Sequence, residues 1–195
     1  MTRAFYDTEF IEDGKTIDLI SIGLVTDDGQ SYYAVNSDCP WDRILRHDWL
    51  MRNVVPHLPL TPESQPALEG YLANQTSATR TALASIQLDQ TRTAVRPHRV
   101  IANEVRDFLR AAGHTGQGDL ELWAWYGAYD HVALAQLWGP MIDLPDGVPM
   151  WTNDLRQESH RLGNPEMPAQ EGTEHNALED ARYNRVMAHH LDSLA

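Results

Sequence analysis

Two carboxylates stand two residues apart near the start of the chain, in Phe5-Tyr6-Asp7-Thr8-Glu9-Phe10. The flanking residues favour a strand, and in a strand residues i and i+2 point to one face, so Asp7 and Glu9 project side by side. Two anions held that close repel, and burying either one unpaired is costly. A divalent cation with oxygen ligands would offset both. The competing reading leaves both groups in solvent on an edge strand. An Asp-x-Glu pattern recurs by accident, so the pair alone does not decide the matter.

Three further residues bear on it. Asp130 follows directly on the segment Leu120 to Tyr129 and opens a helix, where aspartate is a favoured N-cap. The end of a strand is also where open α/β sheets place their ligands. In the last helix, Asn176-Ala177-Leu178-Glu179 reads as a variant capping box with Asn176 as N-cap. At about 100° per residue, Asp180 then shares a side with Ala177, Asn184, Met187 and Leu191. A carboxylate in an apolar stripe needs a partner, which a buried salt bridge could also supply. His175 stands five residues earlier, just outside that helix. His189-His190 reads as C-terminal helix charge and His131 as a first-turn surface residue.

Asp7, Glu9, Asp130, Asp180 and His175 together suit one reaction. Two Mg²⁺ or Mn²⁺ ions roughly 3.5–4 Å apart can activate a water and stabilise the leaving oxygen of a phosphodiester. Carboxylate oxygens suit such hard ions. His175 could take the proton of the water as general base near neutral pH.

The elements that must hold these residues are legible in outline. After the opening strand, Glu12-Asp13-Gly14-Lys15 reads as a turn, Thr16 to Thr26 as a second strand, Asp27-Asp28-Gly29-Gln30 as a hairpin and Ser31 to Asn36 as a third strand. From Trp41 to about Asn53 the spacing of Trp41, Ile44, Leu45 and Trp49 predicts a helix. Residues 61–97 are expected to be an insertion or lid, with helices starting at Thr61-Pro62-Glu63 and over Ala78 to Gln90. A helix is expected from His98 to Ala112 with Gly113 past its end. Further expectations are a strand Leu120 to Tyr126, a helix Asp130 to Trp138 and a short strand Val148 to Thr152. The last helix is placed at about Asn176 to Leu194. An antiparallel meander followed by alternating helices and strands gives an α/β fold with a mixed sheet.

The chain is 195 residues long and 42% hydrophobic, enough for one domain with a substantial core. No apolar run is long enough to span a bilayer. Met1-Thr2-Arg3-Ala4 leads straight into the first strand without a signal-peptide segment, so a cytoplasmic protein is expected. The single cysteine, Cys39, excludes an intramolecular disulfide and a cysteine-based zinc cluster. A net charge of −13 excludes broad electrostatic adhesion to nucleic acid or anionic membrane. A nucleic-acid substrate would have to be held locally, by metal ions, a few arginines and base stacking.

The set resembles the DEDDh exonucleases, a branch of the ribonuclease-H-like superfamily. Asp7-Thr8-Glu9 matches their Asp-x-Glu on the first strand, Asp130 their aspartate opening a helix, and His175 through Asp180 their His-x4-Asp. Tyr6 to Ile11, Leu19 to Gly23, Trp123 to His131, Leu137 to Pro140 and Asp154 to Gln157 look like the actinobacterial polyadenylate-specific 3′-exoribonucleases of the RNase AS type. The resemblance implies a ribonuclease-H-like mixed β-sheet flanked by helices, spanning residues 1–195 as a single domain. It also implies two Mg²⁺ (or Mn²⁺) ions, a homodimer and 3′-to-5′ hydrolysis of adenylate-rich single-stranded RNA. By that analogy Asp7 bridges both ions, Glu9 and Asp180 hold the one that carries the attacking water, and Asp130 serves the second.

Phe10 is placed to stack on the terminal base, with Tyr129, Trp125 and Trp151 as further aromatic candidates. Discrimination of RNA from DNA needs a contact to the 2′-hydroxyl, expected from a backbone group near Thr8 or Glu9. Two rivals stand beside this reading. One is a DNA 3′-exonuclease; the other is a catalytically silent ribonuclease-H-like module, against which the retention of all five residues argues.

Overall fold

A computed structural model describes residues 2–74, 76, 81–115 and 120–195. Its six-stranded sheet runs β4-β3-β2-β1-β5-β6. The strands are β1 (Thr2–Glu12), β2 (Ile17–Thr26), β3 (Ser31–Asn36), β4 (Val95–Arg96), β5 (Leu120–Ala124) and β6 (Asn153–Asp154). β1, β2 and β3 form the expected antiparallel meander, while β3–β4, β1–β5 and β5–β6 are parallel. This is the expected mixed sheet, and it flanks β1, which carries Asp7 and Glu9, with β2 along its length and with β5 from Thr2 to Phe5. Asp7 and Glu9 lie past the β5 pairing, but Glu9 is buried and the Thr8 N–H between them is taken up by Asp130, so the pair does not sit on a solvent-exposed edge.

Period-two alternation divides β1 between two layers. Ala4 and Tyr6 pack with α4 (His98–Thr115) and α5 (Ala128–Ala135), against Ile101, Val105, Leu109 and Leu134. Phe5 packs on the other face with α6 (Leu155–Arg161) and α7 (Ala177–Asp192), against Leu155, Met187 and Leu191. Asp7 and Glu9 continue that second face. Full burial of each large apolar side chain contributes about 1.5–3 kcal/mol, so both layers clamp β1 firmly. Just past Glu9 the register slips: Glu9 pairs with Ser21 but Phe10 with Leu19, leaving Ile20 as the extra residue of a bulge. Ile20 then joins a third cluster, beyond β3, with Val35, Ile44, Met51, Tyr71 and Ile86.

The helical expectation for 41–53 resolves into two short helices, α1 (Trp41–Ile44) and α2 (Asp48–Asn53). The break has a local cause: the His47 ring accepts the Leu50 N–H at 3.3 Å and caps a new helix. Between 61 and 97 the structure forms α3 (Gln65–Ala73), preceded by a 3-10 turn at Pro62–Ser64. Leu68, Tyr71, Ile86, Leu88 and Val95 of this stretch are buried in the third cluster. The helix expected over Ala78 to Gln90 lies partly outside the described residues. In the described part a 3-10 turn at Leu83–Ser85 is followed by a bridge from Leu88 to Leu60.

Other boundaries move by a few residues. α4 runs through Gly113 to Thr115 instead of stopping before it. β5 ends at Ala124, and Tyr126 takes a left-handed φ of 54° that turns the chain into α5. α5 therefore starts at Ala128, and Asp130 is its third residue and not its N-cap, which is Gly127. The last strand forms at Asn153–Asp154 instead of Val148 to Thr152. Among the described residues no helix is long and apolar enough to cross a membrane.

Candidate active site

α7 is brought to β1 by a glycine. Gly23 of β2 lies opposite Asp7, and a Cβ there would fall 2.2 Å from the Ala177 carbonyl oxygen. Only glycine admits a helix start this close to a strand. Asn176 caps the helix, accepting from the N–H groups of Leu178 and Glu179 as expected. The reciprocal half of a capping box is absent, because the Glu179 carboxylate pairs with Arg182. About two turns in from that cap, the Asn184 side chain donates to the Tyr6 carbonyl at 2.9 Å, fastening α7 beside Asp7. Asp180 thus faces the sheet, with Ala177, Asn184, Met187 and Leu191 buried on its side.

Asp7, Glu9 and Asp180 converge, each offering a carboxylate oxygen within 4.8 Å of the others. Asp130 stands outside this closest trio. Its Oδ1 accepts both the Thr8 N–H (2.9 Å) and the Thr8 hydroxyl (2.6 Å), tying the first turn of α5 to β1. Thr8, expected to face a substrate, is therefore buried, with its N–H and hydroxyl both bound to Asp130.

The electrostatics follow from burial and like charge. Asp7 is pushed well above the usual carboxylate range by burial, then by Asp130, Glu9 and Asp180. Burial, then Asp180 and Asp130, raise Glu9 to about 8. Burial raises Asp130 to about 6 against the opposing pull of the Thr8 hydrogen bonds. Asp180 is raised by burial, which outweighs its hydrogen bond to Gln170 and the nearby His175. No ion pair among the described residues reaches any of the four. Four acids gathered without a cationic partner, with oxygen donors only, fit hard divalent cations.

His175 lies at the end of the irregular stretch 162–176 and adopts a left-handed φ of 61°. Such a conformation in a non-glycine residue is strained by roughly 1–3 kcal/mol. The ring meets Trp49 of α2 edge-on, with centroids 4.9 Å apart. Asp7, His175 and Asp180 line one cleft of ≈ 460 Å³, walled by Trp125, Met167 and Met187.

The remaining candidates fall into place around it. Phe10 and Tyr129 stack on each other, centroids 6.0 Å apart and planes 10° from parallel, with Tyr129 more than half exposed. Trp125 is half-buried in the cleft wall and Trp151 is exposed. His131 is a correction: it is half-buried, its Nδ1 lying 3.0 Å from the Thr152 hydroxyl, which also meets the Tyr6 hydroxyl. His189 pairs with Asp27.

Four contributors escaped the sequence reading. Trp49 was assigned to an apolar helix face but is 47% exposed against His175. His57 lies near His175 and Asp180, and burial is the main cause that holds its imidazole below the usual range. Asp154 caps α6 through the Arg156 and Gln157 N–H groups and accepts the Gly127 N–H at 3.1 Å, bracing the turn into Asp130. Gln170 bonds Asp180 directly, as detailed below. Only the helix-start pattern of Asp154 could have been found from sequence.

The model of the 3′-5′ exoribonuclease Rv2179c-like domain matches residues 2–191. Two Mycobacterium tuberculosis proteins are each 43% identical over 180 residues, covering 92% of this chain and 87% of theirs. They are the 3′-5′ exoribonuclease Rv2179c of strain ATCC 25618/H37Rv and the 3′-5′ exoribonuclease MT2234.1 of strain CDC 1551/Oshkosh. Among solved structures, the nuclease domain of 3′hExo, a DEDDh family member bound to rAMP, matches with a TM-score of 0.48 and 12% identity. That match covers 98% of this chain and 92% of that one.

Proposed function

The chain belongs to the Rv2179c-like 3′-5′ exoribonuclease family, and from that premise we propose that it trims adenylate-rich single-stranded RNA by two-metal-ion hydrolysis. The observation that carries the mechanism is the convergence of Asp7, Glu9 and Asp180 within 4.8 Å, with no salt bridge reaching them among the described residues. Asp7, Glu9, Asp130 and Asp180 would hold two Mg²⁺ or Mn²⁺ ions. When bound, these ions supply the acidity of the attacking water and neutralise charge at the phosphodiester.

The protein groups then have separable tasks. His175, beside Asp180 in the cleft, accepts a proton from the attacking water at a ring nitrogen. The water oxygen bonds to phosphorus, and the bond from phosphorus to the 3′-oxygen of the preceding nucleotide breaks. That oxygen takes a proton, and a nucleoside 5′-monophosphate leaves. Glu9, nine-tenths buried and raised to about 8, is largely anionic at neutral pH only with a cation beside it, whereas Asp130, raised to about 6, is already mostly ionised there. Phe10 and Tyr129, already stacked and partly exposed, offer a platform for a terminal or adjoining base. Preference for adenylate rests on the likeness of Trp123 to His131 and the other quoted segments to the RNase AS type.

Two structural assignments accompany this reading. The chain acts as one exonuclease domain in which residues 61–97 are an insertion bracing α2, through the hydrogen bond from the Tyr71 hydroxyl to Asp48. A second copy covers the exposed apolar side chains Met141, Ile142, Met150 and Trp151, of which Ile142 is 85% exposed. The test of the substrate assignment is digestion of matched 5′-labelled RNAs ending in A, C or U tracts, beside a DNA oligomer. Faster 3′ shortening of the A-tailed RNA is expected. Equal rates on all RNAs would remove the base preference, and faster DNA digestion would replace the substrate class.

A further inference from the structure

The stretch 162–176 has no regular secondary structure, yet it is fastened to α7 at several points. The Tyr183 hydroxyl donates to the Pro168 carbonyl at 2.7 Å. Gly172 lies so near α7 that a Cβ there would stand 2.8 Å from a Glu179 carboxylate oxygen and 3.1 Å from the Glu179 Cβ. Between these anchors Gln170 is half-buried in the cleft wall, and its Nε2 donates to Asp180 Oδ1 at 2.6 Å.

We propose that Gln170 is a positioning residue for Asp180, fixing its carboxylate so that the other oxygen is presented to a divalent cation shared with Asp7 and Glu9. This rests on the metal-dependent reading above. The chemistry of the donor favours it. A carboxamide N–H satisfies one oxygen without adding positive charge, so the carboxylate keeps its full attraction for a cation. A lysine or arginine in the same place would form an ion pair and compete with the metal. Without any donor, the Asp180 carboxylate could rotate about its terminal torsion, which is broad and weakly defined. Its second oxygen would then leave the trio. The anchors at Pro168 and Gly172 give Gln170 its reach, so the stretch that ends in His175 also sets the geometry of Asp180.

The test measures Mn²⁺ binding by electron paramagnetic resonance, without substrate, for the wild type and for Gln170→Met, Gln170→Ala and Asp180→Asn. Methionine keeps the length of the side chain and removes the donor; alanine is a second route should methionine disturb the fold. Thermal melts check that each variant is folded. Loss of the donor is expected to weaken Mn²⁺ affinity by about 10–100-fold. The RNA cleavage rate should recover substantially at saturating Mn²⁺, a split that a merely structural role would not produce. Gln170 variants that bind Mn²⁺ within twofold of wild type, while Asp180→Asn does not, would overturn this inference and leave the metal site standing. Equal binding by wild type and Asp180→Asn would overturn the metal site and this inference together.

Discussion

β1 and the stretch 162–176 reach the same cluster of carboxylates by opposite means. β1 is paired with β2 along its length and with β5 from Thr2 to Phe5, packs on both faces, and by its period of two delivers Asp7 and Glu9 to one side. The stretch 162–176 forms no regular element, and it is held by a tyrosine hydroxyl, a close glycine and one glutamine. It nonetheless supplies His175 and orients Asp180. The difference suggests a division of labour: the rigid sheet concentrates charge, and the irregular stretch directs it.

The largest effect expected on this comparison comes from β1. Asp7→Asn should reduce RNA cleavage to background while raising the melting temperature of the metal-free protein, because it removes one charge from a buried, mutually repelling group. Cleavage assays and differential scanning calorimetry check the two halves. A lower melting temperature would mean that the acids are stabilised by something other than a bound cation. Next comes the irregular stretch: His175→Ala should slow single-turnover cleavage by roughly 10²–10⁴-fold, the usual range for a general base. Mn²⁺ affinity should stay within a few-fold of wild type; a loss of binding would make His175 a ligand instead.

A third effect probes the joint between the two regions. Gly23→Ala puts a Cβ against the Ala177 carbonyl, where only backbone could move away. The expected destabilisation is about 1–3 kcal/mol, and a displacement of Asp180 by even an ångström could slow cleavage by about 10²-fold. Urea unfolding together with single-turnover rates would register both, and an unchanged pair would show that α7 has slack at its start. Smaller again, Tyr129→Ala should weaken RNA binding by about 1–3 kcal/mol, the scale of one base–aromatic stack. The expected signature is a raised KM with little change in kcat.

The last effect concerns pH. Glu9 rises on folding from 4.5 to about 8 and Asp130 from 3.8 to about 6. A carboxyl raised on folding binds its proton more tightly in the native state. Its contribution to stability is full below the unfolded value and is lost as the pH passes through the folded one. The metal-free melting temperature should therefore fall between about pH 4.5 and about pH 8, and Mg²⁺ should restore more at the upper end. A flat profile, or an equal gain from Mg²⁺ throughout, would indicate that these acids stay ionised without metal.

The same contrast explains what the sequence made legible. Asp7 and Glu9 were placed together because strands have a period of two, and Asp180 faced inward because helices have one of 3.6. The meander was readable from its turns, with Gly29 at a φ of 88° in the second. Asp130 was found, but as a helix opener; Tyr126 turns left-handed and starts the helix two residues sooner. Trp49 was counted among apolar positions because a single helix was drawn through His47, whose capping role breaks it. Gln170, in an irregular segment, and His57, closing a single 3-10 turn, had no periodic pattern to betray them, since tertiary contacts alone place such side chains.

Dependence on divalent cations and on an RNA 3′ end is measured most directly by following 5′-labelled A-tailed RNA on a denaturing gel, with wild type and Asp7→Asn, in Mg²⁺ and in EDTA. A ladder shortening from the 3′ end is predicted for the wild type in Mg²⁺ alone. Comparable shortening in EDTA, or by Asp7→Asn in Mg²⁺, would contradict the account.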